Sequence, residues 1–228
     1  MPLRSGRGTA DVPFHVMNRG ARRLELFDSS ADYRAFQFCL AESLEKIPVH
    51  LLAYCLMPNH FHFVVTPTRD GQLSVFMKHL LSTHAQRWRA FRRTTGHGAV
   101  YQGRFRAFPI QADSHFYSVC RYVERNALRA GLVKRAEAWP WSSLAQQIGQ
   151  HSFVQLSEWP VPRPADWLES VNTEESLQEL KSLRHSAKRE CPFGSDTWMV
   201  KVADTQETAH KLRARGRPSK KTVGRLFS

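Results

Sequence analysis

A chain of 228 residues is long enough for one domain of roughly 120 to 150 residues with appended structure. Its 33 Lys and Arg against 20 Asp and Glu give a formal charge of +13, which makes a polyanion such as DNA the expected partner. No apolar run approaches the roughly 20 residues needed to cross a bilayer, Met1-Pro-Leu-Arg-Ser-Gly-Arg7 lacks the apolar stretch of a signal peptide, and the scattered Cys39, Cys55, Cys120 and Cys191 form no Cys-x-x-Cys pair, so a cytoplasmic, nucleoid-associated protein with buried thiols is expected.

Pro13 to Asn18 alternates as a first strand does, and the basic turn Arg19 to Arg23 follows. Ser29 or Ser30 can cap a helix over about 31–46, in which Tyr33, Phe36, Leu40 and Leu44 recur every three or four residues. Pro48 ends it. Val49 to Leu56 and His60 to Thr66 are β-rich runs joined at Met57-Pro-Asn59, the pattern of a hairpin. A second helix fits 72–93, with Leu73, Phe76, Leu80, His84, Trp88 and Phe91 inward and basic residues outward.

Val100 to Gln111 reads as a strand interrupted at Gly103, and Asp113 or Ser114 caps a third helix to about Ala130. The order βαββαβα predicts an α+β, ferredoxin-like fold, an antiparallel sheet with helices on one face. Beyond Gly131 lie Trp139-Pro-Trp-Ser-Ser143, two short helices over 165–169 and 173–188, and a basic tail. The implied division is a main domain over 1–145, a helical C-terminal extension over 146–200 and a basic DNA-binding tail over 201–228.

His60-Phe61-His62 opens the second hairpin strand. Residues two apart share a face of a strand, so the imidazoles project together while Phe61 and Phe63 enter the core. A His-x-His pair alone is more often structural than ligating, and it leaves most positions of a metal ion open. Tyr122 and Asn126, four apart on the third helix, also share a face and can add an amide ligand and a nucleophilic hydroxyl. A phenol with a reference pKa near 10 is a weak nucleophile at neutral pH, and a divalent ion on a phosphate oxygen offsets that weakness by making phosphorus more electrophilic. Mixed nitrogen and oxygen ligands with open positions suit Mg²⁺ or Mn²⁺.

His60-Phe61-His62 resembles the paired-histidine motif of the HUH single-strand nucleases, and Arg121-Tyr-Val-Glu-Arg-Asn-Ala-Leu-Arg-Ala-Gly-Leu-Val133 resembles the tyrosine helix of single-tyrosine transposases. Similar segments are His15 to Gly20, Tyr101 to Phe105, Trp139 to Ser143, Pro192 to Ser195 and Arg215 to Pro218, so over roughly residues 12–220 the chain resembles the REP-associated tyrosine transposases. Carried over residue by residue, the resemblance implies that Tyr122 is the nucleophile, that His60 and His62 bind the metal and that Asn126 completes the set. The implied activity is endonucleolytic cleavage and strand transfer on single-stranded hairpin DNA from palindromic repeats, through a 5′-phosphotyrosine. The alternative is a catalytically weak, domesticated DNA-binding protein. Ala127 departs from the proline that relatives commonly carry there, a change a helix accepts.

Tyr117, five residues from Tyr122, and Tyr101 are the other tyrosines to weigh as nucleophile; Glu124 points away from Tyr122 and is left out. Arg104 and Arg106, two apart on a strand, are expected to contact DNA, whereas Arg87, Arg89, Arg92 and Arg93 on the second helix divide between DNA contact and a solvated face. Arg215 and Arg217 belong to an Arg-Gly-Arg-Pro core like that of minor-groove-binding AT-hooks, with a non-specific basic tail the equal alternative. Trp139 and Trp141 read as packing anchors. The long C-terminal extension favours a monomer over a homodimer.

Overall fold

The computed structural model describes residues 8–96 and 98–205. Four strands, β1 (Phe14–Arg19), β2 (Val49–Met57), β3 (His60–Pro67) and β4 (Arg106–Pro109), form one sheet in the order β2-β3-β1-β4, with every neighbouring pair antiparallel. Between β1 and β2 runs α1 (Ser30–Lys46), and between β3 and β4 runs α2 (Gln72–Arg92). After β4 come α3 (Ser114–Glu124), α4 (Asn126–Arg129), α5 (Ser143–Gln147), α6 (Trp167–Asn172), α7 (Leu177–Arg189) and α8 (Asp196–Thr205).

Local chemistry accounts for most boundaries. Ser29 and Asp32 form a reciprocal capping box at the start of α1, and the helix gives out at Ile47, just ahead of Pro48. Arg93, in the left-handed conformation, closes α2. The expected third helix is interrupted only at Arg125, which keeps a right-handed helical conformation between α3 and α4. The last strand is much shorter than the sequence pattern implies: Gly103, at φ +151°, turns the chain, and Tyr101 keeps only an isolated bridge to Gly20.

The α+β antiparallel sheet is as expected, but its helices divide between both faces. Phe61, Phe63 and Val65 of β3 join Val16, Leu51 and the inner residues of α1 and α2 in one core. Val64, Leu52 and Phe108 join Phe116, Val119 and Val123 of α3, Trp167 of α6 and Leu183 of α7 in a second core on the opposite side. The reason is the period of a strand: β2 and β3 are apolar on both sides, and a second apolar surface needs its own cover. On α2, Leu73, Phe76, Leu80 and His84 are buried as predicted, whereas Phe91 is 79% exposed.

The C-terminal residues are integral to this packing. Val154 enters the first core, and Trp167, Val171, Leu183 and Phe193 the second. They also satisfy the outer main-chain groups of β2: Leu56 donates its N–H to the Trp141 carbonyl, the Trp139 and Trp159 indoles donate to Leu56 and Leu52 carbonyls, Ser143 Oγ bridges the Tyr54 N–H and carbonyl, and Ser157 N–H reaches the Leu51 carbonyl. Beside β4, Phe193 pairs with Pro109 and Gln111. Trp141 stacks on Tyr33 at 4.6 Å, so both tryptophans are packing anchors. All four cysteines are buried and free.

Candidate active site

β3 begins at His60, and its alternation puts His60 and His62 on the α3 side of the sheet while Phe61 and Phe63 are fully buried on the other. The two imidazole centroids lie 5.1 Å apart. Each ring has its Nδ1 engaged: His60 Nδ1 donates to Asn59 Oδ1 at 2.7 Å, and His62 Nδ1 lies 2.8 Å from Nε2 of His15 on β1. With the proton on Nδ1, as its acceptor partner requires for His60, the Nε2 lone pair is left for another electrophile. Burial, aided by Arg19 and Arg129, pulls the His60 pKa down to about 4. Burial followed by the charges of His15 and His60 drives His62 well below its ordinary value, and burial with Arg129 takes His15 to about 3. All three rings are therefore neutral at pH 7, the state in which imidazole binds metal.

Tyr122 stands over these rings from α3. Its ring centroid is 5.8 Å from that of His62 and 6.1 Å from that of His15, edge-on to both. The Arg129 guanidinium lies 4.0 Å from the Tyr122 ring centre, and its nitrogens reach the Tyr122 carbonyl at 3.3 Å. A carboxylate from the C-terminal region holds that arginine: Glu175, with a side chain only 2% exposed, pairs with Arg129 at 2.9 Å and Arg125 at 3.0 Å. Asn126, one turn beyond Tyr122, is buried with its Nδ2 unpartnered, so its amide is not committed to the fold's own hydrogen bonding. Its neighbour Ala127 approaches Cys55, the residue opposite His62 on β2.

His60, His62 and Tyr122 thus converge on one face of one chain, and Asn126 follows on the same helical path. His15, Arg129 and Glu175 were not singled out as functional candidates in the sequence. Only the β1–β3 register, which sets Met17 opposite His62 and His15 opposite Val64, could have revealed the histidine. The other tyrosines are spent. Tyr101 contacts His84 Nδ1 at 2.6 Å within the opposite core, and Tyr117 donates to the Pro162 carbonyl at 2.6 Å among Trp159 and Trp167. Among the described residues the Tyr122 hydroxyl has no hydrogen-bond partner. Glu124 is fully buried, bonded to Ser143, Gln147 and the Trp167 indole, and serves to join elements.

The arginines sort differently. Arg87 pairs with Glu42, and Arg92 pairs with Asp28 and Asp32 while lying over the Trp88 ring. Arg89 is bound to the Thr94 and Gly98 carbonyls. Arg104 and Arg106 are both exposed, flanking buried Phe105, and line one concavity. Arg215 and Arg217 lie outside the described residues. A concavity of about 860 Å³ between α3, α7 and residues 191–196 includes none of His15, His60, His62 or Tyr122. Among the described residues no three His, Cys, Asp or Glu side chains cluster to hold a metal ion, and no helix is long and apolar enough to cross a membrane.

Known proteins resemble this chain in sequence and fold. The REP-associated tyrosine transposase of Escherichia coli K12 is 22% identical over 163 residues, covering 69% of this chain and 85% of that protein. A Haemophilus influenzae Rd relative described in the same terms is 22% identical over 140 residues, covering 58% and 74%. A solved REP-associated tyrosine transposase bound to a REP hairpin shares the fold, with a TM-score of 0.52 at 18% identity over 67% of this chain and 89% of that one. The model of the IS200-like transposase family matches residues 9–126, from the start of the sheet through Tyr122 and Asn126. With just over half of its length matched in this way, the chain belongs to the IS200-like transposase family.

Proposed function

We propose that this transposase-family protein is a divalent-metal-dependent single-stranded DNA endonuclease and strand transferase, with Tyr122 as nucleophile. The observation that carries the reading is the uncommitted Tyr122 hydroxyl on a ring 5.8 Å from that of His62. The Tyr122 oxygen forms a bond to phosphorus as the bond from phosphorus to the leaving 3′ oxygen breaks. The phenol proton is released and the 3′ oxygen takes one up. The products are a 5′-phosphotyrosine and a free 3′-hydroxyl, and the preserved ester energy permits rejoining without ATP. Arg129, seated on the ring and anchored by Glu175, restricts the rotamers of Tyr122 and so keeps its oxygen in position.

The donor set fits a divalent ion. His60 and His62 would hold it through Nε2 and Asn126 through its amide oxygen, a nitrogen and oxygen set with open positions that accords with Mg²⁺ or Mn²⁺ rather than a closed zinc site. Such an ion, when bound, polarises a non-bridging phosphate oxygen. Hairpin DNA as substrate is supported by the +13 charge and by the structural relative solved with a REP hairpin. Convergence of His60, His62 and Tyr122 within one chain supports a monomeric active unit, which light scattering of the pure protein checks. The test of function is a 3′-labelled hairpin oligonucleotide incubated with Mg²⁺ or Mn²⁺. Wild type gives a denaturant-resistant protein–DNA adduct, and Tyr122→Phe and chelated samples give none. Tight binding without an adduct in either metal would support the domesticated DNA-binding alternative instead.

A further inference from the structure

The sheet face that carries the histidines continues across β1 to a basic concavity for which the chemistry above has no use. Met17 is in register with His62 on one side and Arg106 on the other, and Arg19 is in register with His60. Directly opposed residues of antiparallel strands project from the same face, so Arg19 and Arg106 stand on the imidazole side of the sheet. Residues 100–104 form the adjoining wall. Gln102 N–H bonds the Arg19 carbonyl at 2.9 Å, Ala21 N–H bonds the Val100 carbonyl at 2.8 Å, and Asn18 Nδ2 bonds the Gly103 carbonyl at 3.2 Å. The wall is therefore fixed to β1 rather than free to collapse into the space.

The resulting concavity has a volume of about 410 Å³, and Asn18, Arg19, Gln102, Gly103, Arg104 and Arg106 line it together with Met17. Three guanidinium groups meet there with no carboxylate on the lining. Elsewhere Arg87, Arg92, Arg121, Arg125, Arg129 and Arg135 each have a carboxylate partner; among the described residues Arg19, Arg104 and Arg106 have none. Arg19 Nε is moreover buried without a hydrogen-bond partner, and a buried donor left unmade is costly unless a ligand supplies the acceptor. Guanidinium forks match phosphate oxygens in geometry and charge.

We propose that this concavity is a phosphate subsite that grips a phosphodiester of the single-stranded segment flanking the linkage attacked by Tyr122, with Arg19, Arg104 and Arg106 as donors. The proposal rests on the nuclease reading for its substrate. Its consequence is a measuring function: β4 and β3 lie two strand spacings apart, roughly 10 Å, so holding one phosphate beside β4 fixes which linkage reaches the tyrosine.

The test uses the full-length protein in EDTA, so that DNA is bound and not cut, with hairpin oligonucleotides carrying one neutral methylphosphonate linkage at successive flank positions. Wild type loses affinity about 5- to 10-fold at one or two adjacent positions. Arg104→Ala and Arg106→Ala bind unmodified DNA about 5- to 20-fold more weakly, become indifferent to the neutral linkage at those positions, and lower the slope of log affinity against log salt by about 0.7 for each arginine–phosphate pair removed. Arg106→Lys, which keeps the charge, restores part of the sensitivity. Because Arg104 and Arg106 are exposed, unchanged melting temperatures distinguish weakened DNA binding from damage to the fold. A scan with no special position, or arginine variants as sensitive as wild type, overturns the subsite. If wild type with Mg²⁺ or Mn²⁺ forms the adduct while the scan is flat, only the subsite fails; a positioned scan with no adduct sinks the nuclease reading alone.

Discussion

The two faces of the sheet each hold histidine beside tyrosine, and they behave oppositely. On the α1–α2 side, His84 Nδ1 and the Tyr101 hydroxyl are 2.6 Å apart, with the residues 3% and 8% exposed. Burial, with Arg92 nearby, takes His84 to about 3, and burial drives Tyr101 well above its usual value. The Tyr101 hydroxyl is taken up by His84, and both groups are shut away from solvent. On the α3 side, His62 and His15 satisfy one another through one nitrogen each while the partly exposed Tyr122 keeps an unspent hydroxyl. Residue type does not distinguish the two clusters; unspent hydrogen-bonding capacity and an opening to solvent do.

Exchanging the phenols for phenyl groups tests this contrast with the largest expected effect. Tyr122→Phe removes the covalent adduct to below detection without lowering the melting temperature. Tyr101→Phe leaves adduct formation within about twofold and costs about 1 kcal/mol of stability, since buried His84 loses its partner. An active Tyr122→Phe enzyme would reverse the assignment of the two faces. Next in size is Glu175→Gln, which strands Arg125 and Arg129. Breaking a buried pair costs about 3 kcal/mol, and the single-turnover adduct rate at saturating DNA should fall about 10-fold. A lower melting temperature with an unchanged rate would make the arginine clamp purely structural.

Acid sharpens the comparison further. His84 is held neutral in the fold at a pKa of about 3 against 6.5 unfolded. The unfolded chain therefore binds the extra proton first, and the contribution of His84 to stability, complete above pH 6.5, is lost as pH falls toward 3. His15 and His60 shift the same way. Glu124, whose pKa burial raises, works against them: its contribution is present below pH 4.5 and lost as pH rises through its folded value. Denaturation between pH 7 and 5 should show stability falling with acid, and His84→Phe should reduce the slope below pH 6.5 by up to about 1.4 kcal/mol per pH unit, leaving the share of His15 and His60 in place. The smallest effects separate the arginines: Arg92→Ala costs about 1 kcal/mol of stability with DNA affinity unchanged, the converse of Arg106→Ala.

Local patterns in the sequence carried much of this fold. The capping box of α1, the Met57-Pro-Asn59 hairpin and the inward residues of α2 depend on neighbours a few positions away. The shared face of His60 and His62 follows from strand period alone, and that of Tyr122 and Asn126 from helical spacing. What escaped depends on partners distant in the chain. His15 meets His62 across 47 residues, Arg129 meets Glu175 across 46, and Arg92 is neutralised by Asp28 across 64, separations at which no local pattern operates. The division of helices between two faces was legible in principle, because β2 and β3 are apolar on both sides. Gly103 reads in the sequence as an interruption, but not as the break that leaves Tyr101 with only an isolated bridge to Gly20.

The tryptophan and serine contacts along β2, with those of Phe193 beside β4, have a consequence for assembly. At Leu51, Leu52, Tyr54 and Leu56 the outward main-chain groups are already taken by the same polypeptide. Unpaired strand rims are where sheets recruit further strands, and along β2 these positions are covered from within, as is the Pro109 carbonyl of β4. A strand from another copy would find these outward groups of β2 already occupied, which protects that rim against ribbon-like stacking.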